Sequence, residues 1–275
     1  MTISIPDTLT IDYSEQYMMS IRLRPGGLSF SAYNPSEGQS FFFREVEFTR
    51  AIPYIASLKE VFFANDFLSW TYKRTHILSV SPQYMLVPDL IDVEAQGMAL
   101  LSFGFTAPEK RALSDPLKEE KAIVLYSINE EVYEFCLRSL CNPAFIHHIT
   151  PQLMLWIKSY SSGQPNGMYA VLHHRMMDVA CFTEGKLLLV NTFPFDQRED
   201  LLYYILYVWQ QTGMNQSADR LSLAGDAMLC SHVTESLRPY IRHIGRIEIP
   251  SEAYLLGGEI LHAPMDLISL SVCAL

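Results

Sequence analysis

Apolar and polar residues alternate over 18–24 and again over 28–33, on either side of Pro25-Gly26-Gly27, so the chain opens with a β-hairpin. After a break at 34–38 a longer aromatic strand is expected over 40–48, and then the period changes. Ile52, Ile55, Leu58, Val61 and Phe62 recur at steps of three and four, the spacing of a helix that lays one face on a sheet. Strands follow over 75–80 and 122–128. Between them, 82–121 yields only a short helix, opened by Val87-Pro88-Asp89-Leu90-Ile91-Asp92 and running to Gly97. Asn129 ahead of Glu130 and Glu131 is an N-cap followed by acids at the positive end of a helix, which is predicted to reach Ser139. A strand over 145–149 and a helix over 151–160 come next.

The segment Ser161-Ser162-Gly163-Gln164-Pro165-Asn166-Gly167 reads as a linker, and beyond it the order of elements starts again. Strands are expected over 168–174, 178–183 and 186–193, the last two joined at Glu184-Gly185. Leu201, Leu202, Ile205, Val208 and Trp209 mark an amphipathic helix stopped by Gly213. A strand over 220–223 runs into Ala224-Gly225-Asp226, a helix extends to about Pro239, a strand covers 244–249 and a closing helix starts at Pro264. Two runs of meander, helix, strand and helix imply a duplicated α/β chain of two lobes, 1–163 and 164–275, with a cleft between them. The closing helix is expected to pack back on the first lobe.

Composition narrows the function. The 275 residues exceed what one core usually holds, and 49% hydrophobic with 12% aromatic content is ample for two. A formal charge of −10 without a cluster of Lys and Arg argues against nucleic acid as a partner. No apolar stretch is long enough for membrane insertion and no basic-then-apolar leader opens the chain, so the expected compartment is the cytoplasm. The five cysteines are scattered and read as reduced thiols, with Cys136 and Cys141 suited to burial.

Adjacent residues on a strand face opposite ways, so neither His147-His148 nor His173-His174 chelates one ion, and no metal is expected. Arg22 and Arg24 share a face of the first strand and read as a solvated stripe opposite a buried one. The aromatic runs Phe41-Phe42-Phe43 and Tyr203-Tyr204 with Tyr207 and Trp209 read as filling between sheet and helices; exposure is what would turn them into a contact surface. No nucleophile with a base beside it stands out.

This order of elements resembles the actin-like ATPase superfamily, of ribonuclease H-like fold, which includes actin, the 70-kilodalton chaperones, sugar kinases and bacterial division and pilus proteins. The second-lobe meander over 168–195, the helix around Trp209 and Leu221-Ser222-Leu223-Ala224-Gly225-Asp226 carry the likeness best. As a whole the chain is similar to an uncharacterised bacterial family with that fold. The resemblance implies, in each lobe, a first strand turn with an Asp-x-Gly pattern whose amides grip phosphate and whose acid positions hydrated Mg²⁺.

Here the first turn reads Arg22-Leu23-Arg24-Pro25-Gly26-Gly27-Leu28, without a carboxylate, and the second Leu172-His173-His174-Arg175-Met176-Met177-Asp178, without a glycine. The positions that would face a nucleotide are Arg24, Gly26 and Gly27, then His173, His174 and Arg175, then Gly225 and Asp226 at the adenosine turn. The expectation is a degenerate site in a non-catalytic binding or scaffold protein that uses no cofactor and has a protein partner. The alternative is an ATP-binding enzyme or filament-forming ATPase taking ATP with Mg, with Gly225 and Asp226 at the nucleoside and Arg24 or His174 at the phosphates. A pocket for some other small molecule is a third possibility.

Overall fold

The structure, a computed structural model, describes residues 3–160 and 166–273; most of the predicted linker and the expected boundary between 163 and 164 lie outside them. The chain forms two compact units that interleave along the sequence. The first comprises 1–116, 123–148 and 250–263, the second 117–122, 149–249 and 264–275. The helix expected over 151–160 therefore belongs to the second unit.

In the first unit, β1 (Met18–Arg24), β2 (Gly27–Tyr33) and β3 (Phe42–Glu47) form the antiparallel meander, followed by α1 (Tyr54–Ala64) and β4 (Arg74–Ser79). The segment 82–121 contains more than a short helix. Val87 and Pro88 end β5 (Tyr84–Pro88), and α2 (Val93–Gly104) starts only after Asp92, whose carboxylate accepts from the Ala95 amide at 3.1 Å. A proline inside a strand is tolerated at a sheet edge, and β5 is an edge. With β6 (Arg111–Leu117) and β7 (Ala122–Ile128) it makes a small sheet in the order β5-β7-β6. Then come α3 (Glu130–Ser139), capped by Asn129 through the Glu131 and Val132 amides, and β8 (Ala144–His147). The main sheet has the order β3-β2-β1-β4-β8, with β4 and β8 parallel to β1. One of its faces carries Met19, Ile21, Leu28 and Phe30, which pack with Leu58, Phe62, Val132 and Cys136 of α1 and α3.

The second unit starts with α4 (Ile149–Tyr160) and then repeats the plan. β9 (Gly167–His173), β10 (Met176–Thr183) and β11 (Lys186–Pro194) form the meander, α5 (Arg198–Gln211) follows, and β12 (Arg220–Gly225), α6 (Ala227–Leu237) and β13 (His243–Arg246) complete it. The sheet order β11-β10-β9-β12-β13 and its strand senses match the first sheet term for term. Met168, Ala170, Leu172, Val179 and Cys181 face α5 and α6. The opposite face meets α4, where Trp156 stacks on Tyr169 and Tyr160 on Phe182, with centroids 4.9 and 4.4 Å apart. Each such buried aromatic is worth roughly 2–3 kcal/mol of transfer free energy.

After β13 the chain returns to the first unit through α7 (Ser251–Tyr254), where Gln39 and Phe41 donate their amides to Leu255 and Leu256 beside β3. The closing helix α8 (Met265–Cys273) packs on α4 within the second unit.

Candidate functional site

The β1–β2 turn places Pro25 and Gly26 between the paired residues Arg24 and Gly27, and Gly26 has φ +77°. Proline followed by a left-handed glycine is the chemistry of a type II turn. Gly27 is fixed by packing rather than by a ligand, since a Cβ there would lie 2.3 Å from the Val46 carbonyl oxygen. Arg24 is buried, and its guanidinium donates to both carboxylate oxygens of Glu47, through Nη1 to Oε2 at 3.3 Å and through Nη2 to Oε1, while Nε lies 3.9 Å from Glu45. Arg22 is fully buried. The expected solvated stripe is therefore wrong: alternation located a face correctly, but the face carrying Ser20, Arg22, Ser29 and Ser31 is also covered.

Beside this turn a cavity of about 400 Å³ opens at the carboxyl ends of β1 and β4, where ligands of open α/β sheets bind. Its wall includes Arg24, Tyr54, Ser79 and Ser127 and the carboxylates Glu109 and Glu131. The Tyr54 hydroxyl donates to the Gly27 carbonyl at 3.0 Å, and burial pushes its pKa well up. Two acids and an arginine already matched by Glu47 give a field that does not favour a polyphosphate.

The β9–β10 turn places His174 at φ +43° and Arg175 at φ +61° between the paired His173 and Met176. Two left-handed residues in a two-residue hairpin make a type I′ turn, which ordinarily selects Asn-Gly. Side chains at these angles cost about 1–3 kcal/mol each. The exposed Arg175 guanidinium donates to the Asp196 carbonyl at 3.0 Å and to its carboxylate at 3.1 Å, and the Arg175 carbonyl accepts from the Phe195 amide.

At the β12–α6 turn, Gly225 lies opposite Leu172 with φ +101°, and a Cβ on it would sit 1.9 Å from the Leu172 oxygen. That same oxygen accepts from the Asp226 amide at 3.1 Å. The Asp226 carboxylate caps α6 by accepting from the Met228 and Leu229 amides, each at 2.9 Å. Gly225 and Asp226 thus join β12 to β9 and start a helix. His173, His174, Arg175, Gly225 and Asp226 share the carboxyl end of the parallel pair β9 and β12, whereas Arg24, Gly26 and Gly27 belong to the first unit.

The sequence reading missed two buried polar clusters. Asp178, fully buried, accepts from Gln152 Nε2 at 3.0 Å and Thr192 Oγ1 at 2.7 Å, and His173 Nε2 lies 2.8 Å from it. Its signal was an acid inside the apolar run Met176-Met177-Asp178-Val179-Ala180-Cys181. In the first unit, Asp115 accepts from the His147 amide at 2.7 Å, and the His147 ring, 3.0 Å from the Ser81 carbonyl, packs between Tyr84 and Tyr126. Burial, with the Asp115 carboxylate adding to it, pushes the Tyr126 hydroxyl well up. These contacts join the small sheet to β8, and no local sequence pattern announces them.

Residues 6–244 match the family model DUF3822, a protein of unknown function. The chain belongs to this family. A DUF3822 chain with this layout is also similar to a solved protein from Bacteroides thetaiotaomicron with an actin-like ATPase fold and unknown function. The two share 29% identity and a TM-score of 0.80, over 97% of this chain and 99% of that one. It is more distantly similar to a chain of the PilM-PilN type IV pilus biogenesis complex, at 9% identity and a TM-score of 0.54, over 94% and 96% of the two chains. A search of curated proteins finds no match. The DUF3822 chain therefore has the actin-like ATPase fold, and among its described residues no helix is long and apolar enough to cross a membrane.

Proposed function

We propose that this protein is a non-catalytic binding protein on an actin-like frame, one that recognises a protein partner and turns over no nucleotide. The observation that carries this reading is the state of the two turns. Each is a tight hairpin whose cation is already matched, Arg24 by Glu47 and Arg175 by Asp196, and neither turn carries within itself, over 24–27 or 173–176, the acid that would orient hydrated Mg²⁺. The partner reading draws on exposure. Phe41, Phe42 and Trp209 are core, but Tyr203 and Tyr207 stack 5.8 Å apart on the outer face of α5, at 62% and 48% exposure. The net charge of −10 disfavours a polyanionic partner.

A specific observation favours the second reading, a nucleotide-using enzyme or filament former: His173, His174, Arg175, Gly225 and Asp226 do converge at one end of the second sheet. Thermal unfolding with Mg-ATP, Mg-ADP and Mg-GTP separates the two. A ligand at a hundredfold over its Kd stabilises by about 2.7 kcal/mol, or roughly 5 °C or more for a chain of this size. The expected result is no rise with any of the three. A rise accompanied by phosphate release that His174→Ala abolishes overturns the proposal.

A further inference from the structure

The stretch Arg238-Pro239-Tyr240-Ile241-Arg242-His243-Ile244-Gly245-Arg246 holds three arginines and a histidine and no acid, within a chain of net charge −10. These basic positions span a helix end and a strand rather than one periodic run. α6 and β13 fold over each other so that Arg238, at the end of α6, and Arg246, at the end of β13, line one cavity of about 310 Å³. Its floor is apolar, Leu223 and Ile244, which lie diagonally across β12 and β13, Ile244 opposite Leu221 and Leu223 opposite Arg246.

Register explains the placement. Arg246 lies opposite Leu223, so it shares the sheet face that packs on α6. Its charge is felt inside: the Cys230 thiol on the cavity wall is pushed up to about 11 by burial, Arg246 opposes that shift, and the Asp226 carboxylate, outside the lining, adds to it. On the other face of β13 the Arg220 guanidinium crosses Gly245, where a Cβ would meet its Nη2 at 2.8 Å, and it does not line the cavity.

Neither Arg238 nor Arg246 has an ion-pair partner among the described residues. The nearby carboxylate, Glu235, accepts instead from Ser231 Oγ at 3.4 Å. Two guanidiniums against one carboxylate leave the lining net positive, and the cavity lies at the carboxyl ends of a parallel strand pair, the usual ligand position in such sheets. Its volume is at the small end of ligand pockets.

We propose that this cavity binds a small organic anion, with an oxyanion head forked between Arg238 and Arg246 and a compact apolar body on Leu223 and Ile244. Planar guanidiniums suit carboxylate and phosphate alike, so the shared oxyanion chemistry is what the site selects. This inference is independent of the reading of the two hairpin turns.

Calorimetric titration of the full chain with phenyl phosphate, benzoate, benzylamine and benzyl alcohol tests it. At least one of the two anions is expected to bind, more weakly as salt rises, while the amine and the alcohol give no saturable heat; the tighter anion identifies the head. Arg238→Ala and Arg246→Ala are each expected to weaken binding at least tenfold, and Arg246→Lys to weaken it less. Both side chains are exposed, so the variants are expected to unfold at the temperature of the parent chain. Absence of binding by both anions at millimolar concentration, or unchanged affinity in the double Arg238→Ala, Arg246→Ala variant, overturns the proposal. A thermal shift with Mg-ATP that disappears in the double variant belongs to this cavity, and one that survives there belongs to the nucleotide reading.

Discussion

A carboxylate shut away from water must be held by donors, and Asp178 is held by Gln152, Thr192 and His173, from α4, β11 and β9. His173 is only across the hairpin, but the bonds from Gln152 and Thr192 span longer stretches of sequence, and the first fixes α4 against the sheet as well as satisfying the charge. Asp178→Ala would leave buried donors without an acceptor. The expected loss is on the order of 3 kcal/mol or more, read as a fall in the urea midpoint. A loss below about 1 kcal/mol would mean that the sheet face tolerates these donors unbonded. Arg22 and Arg24 make the complementary point. Strand periodicity places both on one face of β1, but their burial depends on what lies over that face, which periodicity does not record.

At the scale of elements, turns and helix ends were legible wherever the chemistry is local. Asn129 caps α3 as its sequence suggests, and Pro25-Gly26 makes the first hairpin turn. The β9–β10 turn breaks the local rule, because Arg175, at φ +61°, stands where such a turn ordinarily selects glycine. Arg175→Gly is expected to stabilise the protein by about 1 kcal/mol in thermal or urea unfolding, since relief of the left-handed strain exceeds the small worth of an exposed ion pair with Asp196.

The start of α5 offers a pH-dependent test. Asp200 accepts from the Gln197 and Asp196 amides at 2.9 and 3.0 Å, and those bonds hold its carboxyl below the ordinary range. A depressed folded pKa contributes stability that is present above the unfolded value, about 4, and is lost as pH falls through the folded one. The difference in Tm between the parent chain and Asp200→Asn should therefore be largest near neutrality and shrink below about pH 4. A difference that stays constant with pH would assign the effect to something other than charge.

At the scale of the whole molecule, the last residues serve both units. The segment before α8 accepts the Gln39 and Phe41 amides, and Glu259 accepts from the Phe43 amide and from Arg44. α8 buries Leu267, Ile268 and Leu270. A chain ended after Ile249 is expected to lose amide protection in hydrogen exchange at both β3 and α4, with a lowered Tm. Loss at only one of them would mean that the other unit is self-sufficient without its C-terminal cover.

Outside 82–121, the sequence by itself determined most strands, helices and caps and the repeated order of elements, because each follows from residues within a few positions of one another. It also showed that neither hairpin turn has both an acid and a glycine. The segment 82–121 resisted because its small sheet pairs β5 with β7 across a helix and another strand, and its own core holds only Val87, Leu101 and Leu125 as buried residues, too few to impose a clear period. Only the tertiary structure decided that Arg24 is matched by Glu47, that Gly225 is required by the Leu172 backbone, that Asp178 points inward among donors and that Arg238 meets Arg246 across a cavity. These outcomes depend on which surfaces close over one another, and pairing between distant segments is not encoded in the spacing of neighbours.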